Sequence, residues 1–175
     1  DGYTFAALTK SNDQDVSGFH GIAGEDGNED IWVVKINFQG ELIWQRCLGG
    51  SHIEYPNSIF NKSDTSVIIF GNVNSADGDV SNNHNTTGYF EDIWAIELSN
   101  NGNLIWEHCF GGGGNDRFWY PHGVVQNNYD EYVILSATNY KDGDVDCELI
   151  DTPNAWVFQI KDCSIFMPDI PSTPT

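Results

Sequence analysis

A 62-residue repeat governs what this chain can fold into. Asp30-Ile31-Trp32-Val33-Val34-Lys35-Ile36 returns 62 positions later as Asp92-Ile93-Trp94-Ala95-Ile96-Glu97-Leu98, and a weaker copy, Asn154-Ala155-Trp156-Val157-Phe158-Gln159-Ile160, follows at the same step. Gly40-Glu41-Leu42-Ile43-Trp44 and Cys47-Leu48-Gly49-Gly50 return as Gly102-Asn103-Leu104-Ile105-Trp106 and Cys109-Phe110-Gly111-Gly112. Upstream, Asp13-x-Asp15-Val16, Asp77-x-Asp79-Val80 and Asp142-x-Asp144-Val145 recur at steps of 64 and 65. The 175 residues hold nearly three such units. A period of this size belongs to arrays in which each unit buries its apolar face on its neighbours.

Within a unit the apolar residues form short β-branched and aromatic runs bounded by Gly, Asn, Asp and Ser, with no sustained helical spacing, so the expectation is all-β. In the middle unit strands are predicted near 57–60, 67–73, 92–99 and 103–110, with Asn100-Asn101-Gly102 as the tight turn between the last two. Four antiparallel strands per repeat is the pattern of a β-propeller blade. The units fall at about 1–56, 57–121 and 122–166, followed by a Pro-rich linker over 167–175 that carries Pro168, Pro171 and Pro174. Unit one starts at its second strand, Tyr3 to Leu8, and unit three stops after its third, Ala155 to Lys161. Three blades are too few to close a ring. The remaining blades are therefore expected from the same protein or from another chain. Asp1 at the start, and Met167 as the single methionine, suggest a processed or excised piece.

Seven Lys and Arg against 26 Asp and Glu leave a net charge of −19, which rules out nucleic acid as a partner. The run Val67-Ile68-Ile69-Phe70 is far short of the ~18 apolar residues needed for a membrane span.

Ser11-Asn12-Asp13-x-Asp15-Val16-Ser17-Gly18, Asp30-Ile31-Trp32-Val33-Val34-Lys35-Ile36, Gly40-x-Leu42-Ile43-Trp44-Gln45 and Cys47-Leu48-Gly49-Gly50-Ser51 together resemble the repeats of large secreted surface proteins of Bacteroidota, over almost all of residues 1–161. Those proteins are typically exported by the type IX secretion system. The hairpin from Ala95 to Trp106 is also similar in architecture to the blades of quinoprotein-type propellers. The resemblance implies a secreted repeat domain at the cell surface, acting as a structural or binding module or as secretion cargo. It brings no catalytic residues with it.

The acidic loops carry the strongest chemical signal. Oxygen-bearing side chains alternate at Asp77, Asp79, Ser81 and Asn83, at Asp142, Asp144, Asp146 and Glu148, and at Asp13, Asp15 and Ser17. Alternating oxygens in a tight turn wrap a hard cation, so calcium is the expected ion; the competing reading is a solvated, self-capping turn. Gln14 stands where Gly78 and Gly143 stand in the other loops, which makes unit one the weakest candidate.

Trp32, Trp44, Trp94, Trp106 and Trp156 sit at repeated positions and read as packing between units. Trp119 has no repeat equivalent; Arg117, Trp119, Tyr120 and His122 form a candidate ligand patch, within an insertion placed at Gly112 to Trp119. The run Gly111 to Gly114 lacks the Lys and helix of a phosphate cradle, and the histidines lack zinc spacing. Cys47 and Cys109 occupy equivalent strand positions and are expected to be free and buried, while Cys147 and Cys163 are the candidate disulfide. The competing function is a carbohydrate-active propeller whose unique acids, such as Asp116, Asp130 and Glu131, would converge with a carboxylate separation of roughly 5 to 10 Å.

Overall fold

The computed structural model describes residues 2–63, 65–127, 131–146, 148 and 153–160. The first sheet joins β1 (Tyr3–Thr9), β2 (Asp30–Ile36) and β3 (Leu42–Leu48). The second joins β4 (Glu54–Ser63), β5 (Ser66–Val73), β6 (Asp92–Ser99) and β7 (Leu104–Phe110), and the third joins β8 (Val124–Gln126), β9 (Tyr132–Thr138) and β10 (Asn154–Ile160). Every sheet is an antiparallel meander in chain order. The described residues include no helix, hence none long and apolar enough to cross a membrane. The expected four strands are present in the second sheet; the first and third have three each among the described residues.

The repeat maps onto register. Trp32 lies opposite Ala7 and Cys47, and Trp94 lies opposite Gly71 and Cys109. Trp156 stands opposite Ser136 in the third sheet. Side chains alternate across a strand, and the second sheet uses both faces. Val67, Ile69, Trp94 and Ile96 pack with Ile31, Val33 and Leu48 of the first sheet. Ile68, Phe70, Ile93 and Ala95 pack with Tyr132, Ile134, Trp156 and Ile160 of the third. A sheet covered on both sides has no polar face, which is why β5 reads as an unbroken apolar run and is buried along its whole length.

Trp94 and Trp156 each face the sheet that precedes their own. Trp94 and Trp156 are buried as expected, whereas Trp32 is only half-buried because no sheet covers the Tyr3, Phe5 and Val34 face on which it sits. On the far side of the third sheet, Val125, Val133, Leu135 and Val157 form a similar exposed apolar face.

Two local details differ from the sequence reading. β4 starts at Glu54 and runs through Pro56, which it tolerates because it is an edge strand with a bulge between Pro56 and Ser58. The insertion lies later than expected. In the second sheet Tyr55 pairs with Asn72 and Ile59 with Ile69; in the third the matching rungs are Arg117 with Ala137 and Val124 with Ile134. Three residues, Pro56 to Ser58, lie between the first pair of rungs, and six, Phe118 to Gly123, between the second. The three extra residues widen an existing bulge, where the ladder is already interrupted and extra chain breaks no further rungs.

Candidate functional site

Each of the second and third acidic loops closes on the sheet before it. Asp79 N donates to Gly49 O at 2.9 Å, and Ser51 N donates to Asp77 Oδ1 at 2.8 Å. One repeat later, Asp144 N donates to Gly111 O at 2.8 Å and Gly113 N to Asp142 Oδ1 at 2.9 Å. Val80 and Val145, the apolar residues that follow, are buried in the two inter-sheet cores. Arg46 Nη2 donates to Asp79 Oδ1 at 3.1 Å, and the amide of Ser81 donates to Glu107 Oε1 on β7 at 3.2 Å. The first loop has no preceding sheet among the described residues: Asp13 and Asp15 are exposed, and Ser17 is tied to its own sheet by Gln45 Nε2 at 2.6 Å. Asp146 is exposed. Among the described residues no group of three or more His, Cys, Asp or Glu side chains is placed to hold a metal ion. The acidic side chains of both loops reach the preceding sheet, and Ser81 also reaches its own edge strand.

Behind each of these two loops lies a pair of buried carboxyls. His20 Nδ1 is 2.7 Å from Asp30 Oδ2, and His84 Nδ1 is 2.7 Å from Asp92 Oδ2. Gly50 N and Ser75 N donate to Glu54 at 3.0 and 3.1 Å, and Gly112 N donates to its counterpart Asp116 at 2.7 Å. A Cβ on Gly49 would stand 2.3 Å from Glu54 Oε2 and 2.8 Å from Asp30 Oδ1; on Gly111 it would stand 2.6 Å from Asp92 Oδ1 and 2.9 Å from Asp116 Oδ2. Glycine is therefore required at both places to leave room for two carboxyls. All four acids are fully buried, and Asp30, Asp92 and Asp116 each keep one oxygen without a protein hydrogen bond. Burial pushes Glu54 up to about 7 and Asp92 up to about 6, despite the hydrogen bonds that favour the ionised forms, and the facing carboxylates Asp30 and Asp116 add to the rise. Asp30 and Asp116 are raised by burial as well. Each pair thus holds two carboxyls in a buried setting that favours their protonated forms.

The insertion builds a different kind of site. Arg117, Phe118, Trp119, Tyr120 and Pro121 face Tyr55, Pro56, Asn57, Asn72 and Glu91 of the second sheet across an open cavity of about 550 Å³. The loop is pinned at three points. Phe118 N donates to Asn72 Oδ1 at 2.9 Å, Asn57 Nδ2 donates to Tyr120 O at 3.0 Å, and Arg117 exchanges backbone hydrogen bonds of 2.9 Å with Ala137. The Arg117 guanidinium lies 5.2 Å from the Trp119 ring centre, a cation–π distance, and its Nη1 is 3.7 Å from Glu91 Oε1. Burial raises Glu91 above the usual carboxylate range, with Arg117 opposing. Of the predicted patch, Arg117, Trp119 and Tyr120 line this cavity. His122, at a positive φ of 70°, lines a smaller one of about 300 Å³ on the other side of the loop, again with Trp119 and Tyr120.

Cys47 and Cys109 are free and buried, and burial pushes the Cys47 thiol up to about 12 and that of Cys109 in the same direction. Cys147 and Cys163 lie outside the described residues. The buried acid pairs were missed from sequence, although Asp30 with Asp92 and Glu54 with Asp116 keep the 62-residue step. Tyr55 and Asn72 carry no comparable mark, whereas Glu91 repeats Glu29 at the same step. No protein-family model matches the chain, and comparison with curated proteins gives no match.

Proposed function

We propose that the chain is a non-catalytic extracellular repeat module of a larger secreted surface protein, in which successive sheets stand as blades of a propeller-like array and offer a structural or ligand-binding platform. The observation that carries this reading is the duplication of the acid chemistry. Asp116, one of the candidate unique acids of an enzymatic reading, takes the place of Glu54, down to the hydrogen bond from its amide to a repeated glutamate carbonyl: Glu54 N to Glu29 O and Asp116 N to Glu91 O, both 2.7 Å. An acid that recurs in each junction, fully buried, serves the scaffold; attack on a glycosidic bond needs two carboxyls that reach a substrate. Glu131 is half-buried and held by Asn127 and Gln159, and Asp130 lies outside the described residues. The apolar outer faces of the first and third sheets suit further sheets, from the same polypeptide or a partner chain, and the sequence resemblance makes the secretion machinery a partner.

The test is a turnover assay. The protein, incubated with neutral and acidic polysaccharides, should release no reducing ends above a heat-inactivated control over a day. Release of oligosaccharides that disappears with a single carboxylate substitution outside the junctions would overturn the reading.

A further inference from the structure

We infer that the cavity between the Trp119 loop and the second sheet is a binding subsite for a neutral carbohydrate. This inference deepens the proposed module and rests on it. Three aromatic side chains at its rim are left to solvent, Trp119 at 53%, Tyr120 at 76% and Tyr55 at 40% exposure. The rings on one loop would ordinarily fold into a core, since each hides a large apolar area, and a repeat that buries five other Trp positions wholly or in part has that option. Here the loop is held open instead, by Asn72 from below and Asn57 from the side.

The polar wall has the second half of the chemistry. Arg117 Nη1 and Glu91 Oε1 are 3.7 Å apart, too far for a direct hydrogen bond and close enough for one hydroxyl to accept from the guanidinium and donate to the carboxylate. Sugars present hydroxyls around an apolar C–H face, which is what an aromatic rim beside a donor–acceptor pair accommodates. The volume of about 550 Å³ is in the range of small-molecule sites and admits one or two rings of a longer chain. Charge selects the class. Arg117 is already matched by Glu91, and the molecule carries −19, so uronates and sulfated glycans are repelled at the approach.

The experiment is titration of the 175-residue protein with soluble hexasaccharides of β-glucan, xylan and mannan, together with oligoalginate, a heparin fragment and a proline-rich peptide. Binding is read by calorimetry, and reducing ends are measured in the same samples. At least one neutral hexasaccharide should bind, with about a tenfold or greater loss of affinity in Trp119→Ala and in Arg117→Met, near-parental affinity in Trp119→Phe, and no change in Phe38→Ala, an exposed aromatic that does not line the cavity. Circular dichroism of each variant separates lost binding from lost folding. Failure of all the neutral probes, binding that survives Trp119→Ala in a folded protein, or preference for the anionic or peptide probes would overturn the inference while leaving the module intact. Binding followed by cleavage would instead overturn the non-catalytic reading and keep the subsite.

Discussion

Lowering the pH from 8 to 5 is expected to raise the melting temperature by about 10 °C or more. Glu54 titrates at about 7 in the folded protein against an ordinary 4.5, and Asp92 at about 6 against 3.8. A carboxyl raised by folding binds its proton more tightly in the native state. Its favourable contribution is complete below the unfolded value and is lost as the pH climbs through the folded one, so the window is about 4 to 7. Each of the two groups is worth about 3 kcal/mol across that window, and Asp30 and Asp116 shift in the same direction. Relief of the net charge of −19 adds to the trend. His108 opposes it at the acid end, because burial lowers its value and protonation then costs stability. Glu54→Gln and Asp92→Asn should each flatten the profile, since an amide fills the space without a proton to gain. A melting temperature that stays level between pH 5 and 8, or a slope unchanged in both variants, contradicts the buried pairs.

The second large effect concerns two glycines. Gly78 and Gly143 have φ of +67° and +56°, and a Cβ on either would lie 2.3 Å from a backbone oxygen of the preceding sheet, Gly49 O or Gly111 O. Positive φ alone costs about 1 kcal/mol for alanine. The contact adds more, because a carbonyl within a sheet has little freedom to move and the loop must lift, breaking the bond from Asp79 N or Asp144 N and exposing Val80 or Val145. Gly78→Ala and Gly143→Ala should therefore each destabilise by about 3 kcal/mol or more, a fall of roughly 6–12 °C for a chain of this length. Gln14 provides the internal control. It adopts the same conformation, φ 53°, in an exposed loop, so Gln14→Gly should change stability by less than about 1 kcal/mol. Thermal melts of the three variants check the contrast; equal effects at 14 and 78 would show that conformation rather than inter-sheet approach sets the requirement.

The strands were legible because short β-branched and aromatic runs bounded by turn residues recur at a fixed step: β6 has the bounds that the sequence predicts, and β5 and β7 differ by one residue. Relations between sheets were not. Trp32 and Trp94 are the same residue in the same register, yet their burial differs because one of them meets a neighbouring sheet and the other does not. The glycine run after Phe110 suggested an insertion, but Gly113-Gly114-Asn115-Asp116 replaces Ser51-His52-Ile53-Glu54 position for position, and the extra residues lie past Arg117. In the acidic loops the alternation was visible, whereas the surface that Asp77, Asp79, Asp142 and Asp144 face was not; side chains at every second position serve a cation or a neighbouring backbone equally well. The cavity was half legible, since Trp119 breaks the repeat, but its opposite wall comes from Tyr55, Asn72 and Glu91, residues far apart in sequence that only the pairing of β4, β5 and β6 assembles.

Native-state hydrogen exchange of the acidic loops, read by mass spectrometry in chelator and again in millimolar calcium, decides whether these acids are joints of a scaffold or a set of ion loops. Joints require the amides of Asp79 and Asp144, bonded to Gly49 O and Gly111 O, to exchange as slowly as the inner strands β5 and β6 in both solutions, with the loop at Asp13 and Asp15 fast throughout. Loops at 77–81 and 142–145 that exchange freely in chelator, and become protected only when calcium is added, would contradict it.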